Sequence, residues 1–103
     1  MMKIDIDSAK AFLNDESFCR GNTLVSTGIM TLAGNMIAIK TNDVIKLNYY
    51  GRKTVTTKNR LNAILILLNL PLIEQVEDKW YWKDDQVFKS GWNYINVNDN
   101  EKD

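Results

Sequence analysis

Histidine is absent from this chain of 103 residues, and cysteine and proline each occur only once. Without imidazole the chain lacks the commonest general base, metal ligand and pH switch near neutrality, which excludes the usual serine or cysteine triads and two-histidine zinc motifs. The single cysteine, Cys19, has no partner for an internal disulfide, which favours a reducing compartment. It also has no recognisable base beside it, so we predict no catalytic residue, no metal and no cofactor.

Long apolar runs and an excess of one charge are also missing. The longest apolar segment, residues 61–73, contains two asparagines and falls short of the ~20 residues that a membrane-spanning helix needs. The first seven residues include acids where a signal peptide requires an apolar stretch. Thirteen basic residues balance thirteen acidic ones, so the totals favour neither a general nucleic-acid binder nor an acidic DNA mimic. We therefore expect a soluble intracellular protein.

The pattern of apolar residues predicts a central helix over Thr56–Leu70. Thr56 and Thr57 can cap its start through their hydroxyl groups, and Pro71 cannot continue the helical hydrogen bonds. Apolar side chains recur at helical spacing and leave little polar surface, so we expect this helix to be covered on most sides. The apolar residues are Leu61, Ile64, Leu65, Ile66, Leu67, Leu68 and Leu70.

Around this helix the sequence predicts an antiparallel meander, a C-terminal hairpin and a short N-terminal helix. Alternating apolar and polar residues, separated by turns that contain glycine or asparagine, are typical of such strands. The predicted fold class is α+β, with one compact domain over residues 1–97 and a flexible acidic tail over 98–103. The predicted strands are 23–27, 29–33, 36–40, 44–49, 72–77, 79–83, 87–88 and an edge strand at 92–97, and the first helix covers 7–14 with Asp7 or Ser8 as its cap.

Three blocks of residues resemble motifs of a widespread set of small tailed-phage and prophage proteins. The most specific is Thr56-Thr57-Lys58-x-Arg60-Leu61-Asn62-Ala63, followed by Gly34-Asn35-x-Ile37-Ala38 and Gly21-Asn22-Thr23-x-Val25. The resemblance covers most of residues 8–95, although Ala33, Arg52 and Asn59 stand where relatives usually have histidine, tryptophan and glutamate. It implies phage origin and a place in the host cytoplasm, and it implies no particular activity.

Phage accessory proteins of this size often bind and block a host or defence protein, and by this association such a role is our leading hypothesis. An anti-CRISPR-like inhibitor is one form of it. Six of the ten aromatic residues lie between positions 80 and 94, close to several acids, which suits aromatic anchors with an acidic rim. Tryptophans that close the end of the core explain the pattern equally well. The candidate partner-binding residues are Trp80, Tyr81, Trp82, Asp84 and Asp85.

The alternative hypothesis is a small nucleic-acid-binding protein with a basic patch at the start of the central helix. Four cations without an acid surround a helix start, where the helix dipole disfavours each of them by ~0.3–1 kcal/mol. A bound phosphate or acidic partner would offset that cost, whereas a solvated loop is the simpler interpretation. The candidate residues are Tyr50, Arg52, Lys53, Lys58 and Arg60. The apolar helix also leaves a homodimer open, in which two helices or two sheet edges cover each other.

Other patterns have structural interpretations that we prefer. Glu77-Asp78-Lys79 matches one half of a metal-dependent nuclease site, but the upstream proline-aspartate half is missing and a solvated turn explains the pattern. Asn35 follows a glycine and suits a left-handed turn. Asn62 can tie the central helix to a loop backbone through its side-chain amide.

Overall fold

Two helices pack on one face of a six-stranded antiparallel sheet, and a three-stranded sheet adds its buried residues to the same core. The computed structural model describes residues 1–83 and 86–96. This architecture confirms the predicted α+β class with a short N-terminal helix. The elements are α1 Lys3–Leu13, β1 Phe18–Arg20, β2 Thr23–Ser26, β3 Ile29–Leu32, β4 Asn35–Lys40, β5 Val44–Leu47, α2 Val55–Leu67, β6 Glu74–Val76, β7 Lys79–Trp82, β8 Gln86–Val87 and β9 Asn93–Asn96.

The six-stranded sheet is a meander to which the last described strand returns. Its strand order is β1-β2-β3-β4-β5-β9, and all neighbouring strands are antiparallel. β9 pairs with β5, with Ile95 opposite Ile45, so the predicted C-terminal edge strand is confirmed. β1 is an additional edge strand in a segment that the sequence left ambiguous. The predicted hairpin over 72–83 belongs to the second sheet, whose order is β6-β7-β8.

Alternate side chains of the six-stranded sheet point toward the helices and form most of the core. In β2, Thr23 and Val25 are buried while Leu24 and Ser26 are exposed, as the pleat of a strand requires. A bulge in β4 disturbs this alternation, because Met30 pairs with Ala38 while the next residue of β3 pairs with Met36. The residue between, Ile37, is therefore buried together with Ala38.

The N-cap of the central helix α2 lies two residues before the first of the predicted caps. Thr54 is the N-cap, and its Oγ1 accepts a hydrogen bond from the amide of Thr57 at 3.1 Å. The carbonyl of Thr54 also accepts from the amide of Lys58 at 3.0 Å. Thr56 and Thr57, predicted as caps, lie inside the first turn instead. All three threonines have the chemistry of a cap, and the path of the chain out of β5 selects the first of them.

The C-terminal end of α2 is set by a left-handed residue rather than by Pro71. Asn69 has a φ of 58°, and the amide of Leu70 donates to the carbonyl of Leu65 at 2.9 Å. This pattern is a Schellman motif with asparagine at its left-handed position, and it ends the helix at Leu67. Burial stops at Leu65, so the expected covering on most sides is wrong for the last turn.

The first helix α1 begins earlier than the predicted range of 7–14. The carboxylate of Asp5 accepts a hydrogen bond from the amide of Met2 at 2.8 Å. Asp5 therefore satisfies the start of the helix, and neither Asp7 nor Ser8 does. Ser8 is buried, and its hydroxyl donates to the carbonyl of Asp5 at 3.1 Å.

Two features that were predicted from the sequence lie outside the described residues. They are the acidic tail at 98–103 and the pair Asp84-Asp85. Neither of the two described helices has the length and apolar character that a membrane span requires.

Candidate functional site

Three segments that are distant in the sequence meet at a groove beside the start of α2. The groove has a volume of about 210 Å³ and is lined by the β1–β2 turn, the β3–β4 turn and residues 49–57. These segments carry parts of all three blocks of residues that resemble motifs of small tailed-phage proteins. The floor of the groove is apolar and buried, formed by Leu32, Ile37 and Tyr49. The polar residues of its rim are Asn22, Asn35, Tyr50, Arg52, Thr54 and Thr56.

A tight turn after β5 places Tyr50 and Arg52 on the rim. Tyr50 and Gly51 both have positive φ, 56° and 73°, and the amide of Arg52 donates to the carbonyl of Tyr49 at 3.0 Å. The side chain of Asn48 holds this turn, because its Oδ1 accepts from the amide of Tyr50 at 2.7 Å. The ring of Tyr50 is consequently 51% exposed, even though its neighbour Tyr49 is buried.

The backbone amides in the first turn of α2 point toward the N-terminal end of the helix, which borders the groove. The amides of Thr57 and Lys58 are satisfied by the side chain and the carbonyl of Thr54. Among the described residues, none accepts a hydrogen bond from the amides of Val55 or Thr56. These free donors and the positive end of the helix dipole favour a negatively charged group.

Three cations lie near this helix start without a carboxylate partner in the described part of the chain. The ion pairs recorded there join other residues. Lys53 donates to the carbonyl of Asp78 at 3.1 Å, and Lys58 donates to Oε1 of Gln75 at 3.3 Å. Both interactions are with neutral oxygens, and the exposed Arg52 on the rim has none of its own. The positive charge at this helix start is therefore not neutralised by described residues.

Arg60 does not belong to this exposed cluster, which corrects its assignment to the basic patch. Its side chain is 7% exposed. It forms an ion pair with the buried carboxylate of Asp5, and its Nε donates to Oγ1 of Thr23 at 3.1 Å. The guanidinium thus connects α2, α1 and β2 inside the protein. A phosphate in solution cannot reach it without breaking these contacts.

Trp80 is a core residue, which corrects its assignment to the partner-binding surface. It is 0% exposed, and its ring centroid lies 5.3 Å from that of Tyr49 and 6.2 Å from that of Phe88. Tilted aromatic pairs at these distances are typical of stable core packing. The alternative weighed from the sequence, that tryptophan closes the end of the core, describes Trp80 correctly.

The rest of the predicted aromatic surface is only partly available. Trp82 is half-buried, and its Nε1 donates to the carbonyl of Pro71 at 2.7 Å. Tyr81 is half-buried on the strand between the two tryptophans. Asp84 and Asp85 lie in the gap between the described ranges. The hairpin therefore offers Tyr81 and one edge of Trp82 to a partner.

Of the two motif asparagines for which a structural role was predicted, Asn62 has that role and Asn35 does not. Asn62 donates to the carbonyl of Ile73 at 3.1 Å and accepts from its amide at 2.7 Å, so it ties α2 to the segment before β6 as predicted. Asn35 is the first residue of β4 and is not left-handed. The left-handed positions of that turn are Ala33 and Gly34, with φ of 51° and 85°.

The acidic hairpin turn and the cysteine have no special surroundings in the described residues. Glu77 and Asp78 form the exposed turn between β6 and β7. Cys19 is an exposed free thiol on the edge strand β1. No group of three histidine, cysteine, aspartate or glutamate side chains that could hold a metal ion occurs within residues 1–83 and 86–96.

A second surface, the outward face of the six-stranded sheet, was not predicted from the sequence. Leu24 and Met36 point away from the helices and are 46% and 41% exposed. The signal was present in the strand Ile29-Met30-Thr31-Leu32, where apolar residues occupy positions on both faces. A strand with one wet face normally alternates more strictly between apolar and polar residues.

Comparison with known proteins places the chain in a family. No curated protein and no solved structure matches it. A family model described as Kyanoviridae Gp96 protein matches residues 1–100, nearly the whole chain. The chain therefore belongs to the Kyanoviridae Gp96 protein family, a family of phage proteins.

Proposed function

We propose that this phage protein is a non-enzymatic accessory protein that binds single-stranded nucleic acid in the groove at the start of α2. One observation carries the proposal: free helix amides, an arginine without a carboxylate partner and an exposed tyrosine surround the same groove. None of the described residues that line the groove is acidic. This arrangement supports the nucleic-acid hypothesis more directly than the buried Trp80 supports the hypothesis of a blocked host protein.

In this proposal the rim of the groove holds a phosphate. The amides of Val55 and Thr56 donate to its oxygens, as at other helix N-termini that bind anions. The guanidinium of Arg52 adds charge-assisted hydrogen bonds, which are about twice as strong as neutral ones. Lys53 and Lys58 lie at neighbouring positions and contribute positive potential.

Tyr50 and the two asparagines suit the base beside that phosphate. A tyrosine ring with half of its surface exposed is a stacking platform, and stacking contributes ~1–3 kcal/mol per base without regard to its identity. The side-chain amides of Asn22 and Asn35 can donate to and accept from a base edge. Stacking requires an unpaired base, which is why the proposal specifies a single strand.

The size of the groove favours one unit of a polymer over a free small ligand. Its volume of about 210 Å³ is below the ~300–1,000 Å³ of pockets that enclose a whole drug-sized molecule. With ~3 cations contributing, log K should fall with log salt at a slope of roughly −2, at ~0.7 per phosphate contact for a single strand. We therefore expect weak binding at physiological salt.

The test is fluorescence anisotropy of a labelled oligothymidylate over a series of salt concentrations. Arg52→Gln should weaken binding and lower the magnitude of the salt slope by ~0.7. Tyr50→Asn keeps a residue that tolerates positive φ and should weaken binding ~5- to 150-fold at constant slope. Lys10→Gln removes an exposed cation on α1, away from the groove, and is the matched control. Binding that Arg52→Gln leaves unchanged, or no binding at low salt, would refute the proposal.

A second candidate function is the binding and blocking of a host or defence protein. The observation that favours it is β6, an edge strand of the second sheet on which all three residues are exposed. An exposed edge can accept a strand from a partner. Tyr81 of β7 lies opposite Glu74 of β6 and can add a side-chain contact with that partner. An anti-CRISPR-like inhibitor is one form of such a protein.

The two candidates separate in a pull-down from nuclease-treated host lysate. A stoichiometric host protein that Tyr81→Ala and Gln75→Pro lose, and that Arg52→Gln retains, supports the second candidate. Gln75 lies opposite Trp80, whose carbonyl faces β8 and accepts from the amide of Phe88 at 2.8 Å, so the amide of Gln75 faces the open edge and proline at that position removes the donor. Recovery of nucleic acid alone in untreated lysate, lost with Arg52→Gln, supports the first.

A further inference from the structure

The outward side chains of the six-stranded sheet form rows that run across the strands. The strand register places Leu24 opposite Thr31 and Thr31 opposite Met36. A second row follows from the same pairings and contains Ser26, Ile29, Ile39, Lys46 and Tyr94. Both helices pack on the opposite face. We call this surface, the two rows together, the open sheet face.

The open sheet face is apolar and nearly free of charge. Five of its eight residues are apolar, counting Tyr94, and Lys46 is the single ionised one. Leu24, Met36 and Tyr94 are 46%, 41% and 65% exposed. Charged residues make up 25% of the whole chain, so charge is depleted here. Contiguous apolar surface of this kind marks a contact between proteins.

We propose that the open sheet face pairs with the same face of a second copy and forms a symmetric homodimer. The formal net charge of the chain is zero, so two copies approach without overall repulsion, and a net charge near zero promotes association. A face without a charge pattern cannot select a partner of opposite charge. It can, however, pack against an identical apolar face without electrostatic repulsion. Two twisted antiparallel sheets pack face to face about 10 Å apart with interdigitated side chains.

The single lysine is compatible with a two-fold axis through this face. An axis between Ile29 of β3 and Ile39 of β4 places Lys46 opposite Ser26 of the second copy. The two lysines then lie about 14 Å apart, three strand spacings of ~4.8 Å. A lysine side chain can lay its stem along apolar surface and keep its ammonium in solvent, so at this separation both groups can stay hydrated at the rim of the contact. The ammonium of Lys46 also lies 5.9 Å from the ring centroid of Trp92, which partly compensates its charge.

The area of the face predicts a weak, reversible dimer. The five strands that the two rows cross span roughly 19 Å, and their length of four to six residues spans roughly 14–20 Å, which is about 270–380 Å² per copy. A standard interface covers ~800 Å² per partner, and interfaces below ~1,200 Å² in total are transient. We therefore expect association only as the protein concentration rises through the micromolar range.

The test is sedimentation velocity of the purified full chain over a range of protein concentrations. The average mass should rise toward twice the monomer mass of 11.9 kDa. Met36→Lys and Leu24→Lys each place a charge in both copies and should weaken self-association at least ~10-fold, since like charges in an interface cost several kcal/mol. Val76→Lys adds the same charge at an exposed position of β6, off the face, and should behave like the wild type.

Every outcome of this measurement bears on the proposal. Circular dichroism confirms that each variant is folded, and Tyr94→Lys, at the most exposed position of the face, replaces any variant that is not. A wild-type chain that stays monomeric at all concentrations overturns the proposal. A monomer is the result expected if a host protein, rather than a second copy, covers the face. A dimer that Val76→Lys abolishes and Met36→Lys leaves intact overturns it as well, since the contact would then be the β6 edge. Neither result depends on nucleic-acid binding, which is measured separately with Arg52→Gln.

Discussion

A buried ion pair joins the two helices through single residues of each. Asp5 of α1 is 0% exposed and pairs with Arg60 of α2, and the arginine also donates to Thr23 of β2. Burying two charges carries a large desolvation cost, which the pair regains only when each charge keeps its partners. A buried pair of this kind does more for the relative placement of the helices than for net stability.

Removal of one member of this pair should destabilise the protein strongly. Asp5→Leu leaves the guanidinium of Arg60 buried without its counter-charge, and we expect a loss of ~3–5 kcal/mol in the free energy of unfolding. Asp5→Leu combined with Arg60→Met removes both charges and should recover most of that loss. Urea denaturation measures the wild type, the single variants Asp5→Leu and Arg60→Met, and the double variant. Additive losses in the double variant would show that the two residues act independently.

Trp80 is the second residue whose buried polar atom decides a prediction. Among the described residues its indole Nε1 has no hydrogen-bond partner, and a buried unsatisfied donor costs ~1–3 kcal/mol. Trp80→Phe loses ring volume but also removes that donor, so its unfolding free energy should stay within about 1 kcal/mol of the wild type. Trp80→Ala leaves a cavity and should lose ~3–5 kcal/mol.

Thermal denaturation of both Trp80 variants is the measurement. If Trp80→Phe lost as much as Trp80→Ala, the indole N–H would make a stabilising hydrogen bond in solution, and the prediction would be wrong. If Trp80 were instead a surface residue that binds a partner, neither substitution would change the stability much.

At the scale of elements, the start of α2 gives a direct comparison between two threonines. Thr54 accepts from the first turn at 3.1 Å, whereas Thr56 is exposed within that turn. Thr54→Ala should therefore lose ~1 kcal/mol, the usual contribution of an N-cap. Thr56→Ala should change the unfolding free energy by less than ~0.5 kcal/mol, as surface substitutions usually do. Chemical denaturation of both variants decides which threonine is the cap, and equal losses would contradict the assignment.

The sequence was sufficient for the type of each main element and insufficient for the ends of the helices. The meander over 23–49 was predictable because turn residues separate short alternating strands. The helix cap was not, because Thr54, Thr56 and Thr57 have the same chemistry and tertiary structure selects among them. The helix end was misplaced because proline is a recognisable stop signal in a sequence, whereas an asparagine such as Asn69 does not by itself indicate a left-handed conformation.

The candidate site was predictable only where it depends on local sequence. Tyr50 and Arg52 lie on one short turn next to the helix start, so both were found. Arg60 was misassigned because its partner Asp5 is 55 positions away, and no local pattern reports that contact. The convergence of Asn22 with these residues likewise depends on sheet topology, which pairs strands that single-sequence patterns do not align.

At the scale of the whole molecule, the protein consists of a large layer and a small attached sheet. Two helices and six strands form the first, and β6, β7 and β8 form the second. The buried contacts between them include the packing of Trp80 against Tyr49 and the paired hydrogen bonds between Asn62 and Ile73. Exposed hydrogen bonds from Lys53 to Asp78 and from Lys58 to Gln75 also join the two units. A unit held by few buried contacts can open before the rest of a protein unfolds.

Loss of the Asn62 contacts should therefore loosen the small sheet selectively. Asn62→Ala leaves the amide and carbonyl of Ile73 buried without partners, and each such group costs ~1–3 kcal/mol. A loss of about 2 kcal/mol in local opening corresponds to roughly thirtyfold faster amide exchange in β6 and β7. Exchange in β3 and β4 should change much less, because their hydrogen bonds open only with the large layer. Asn42→Ala, at an exposed position between β4 and β5, is the control and should leave both sheets unchanged. Equal acceleration in both sheets would mean that the two units unfold as one, and that Asn62 stabilises the whole molecule rather than one connection.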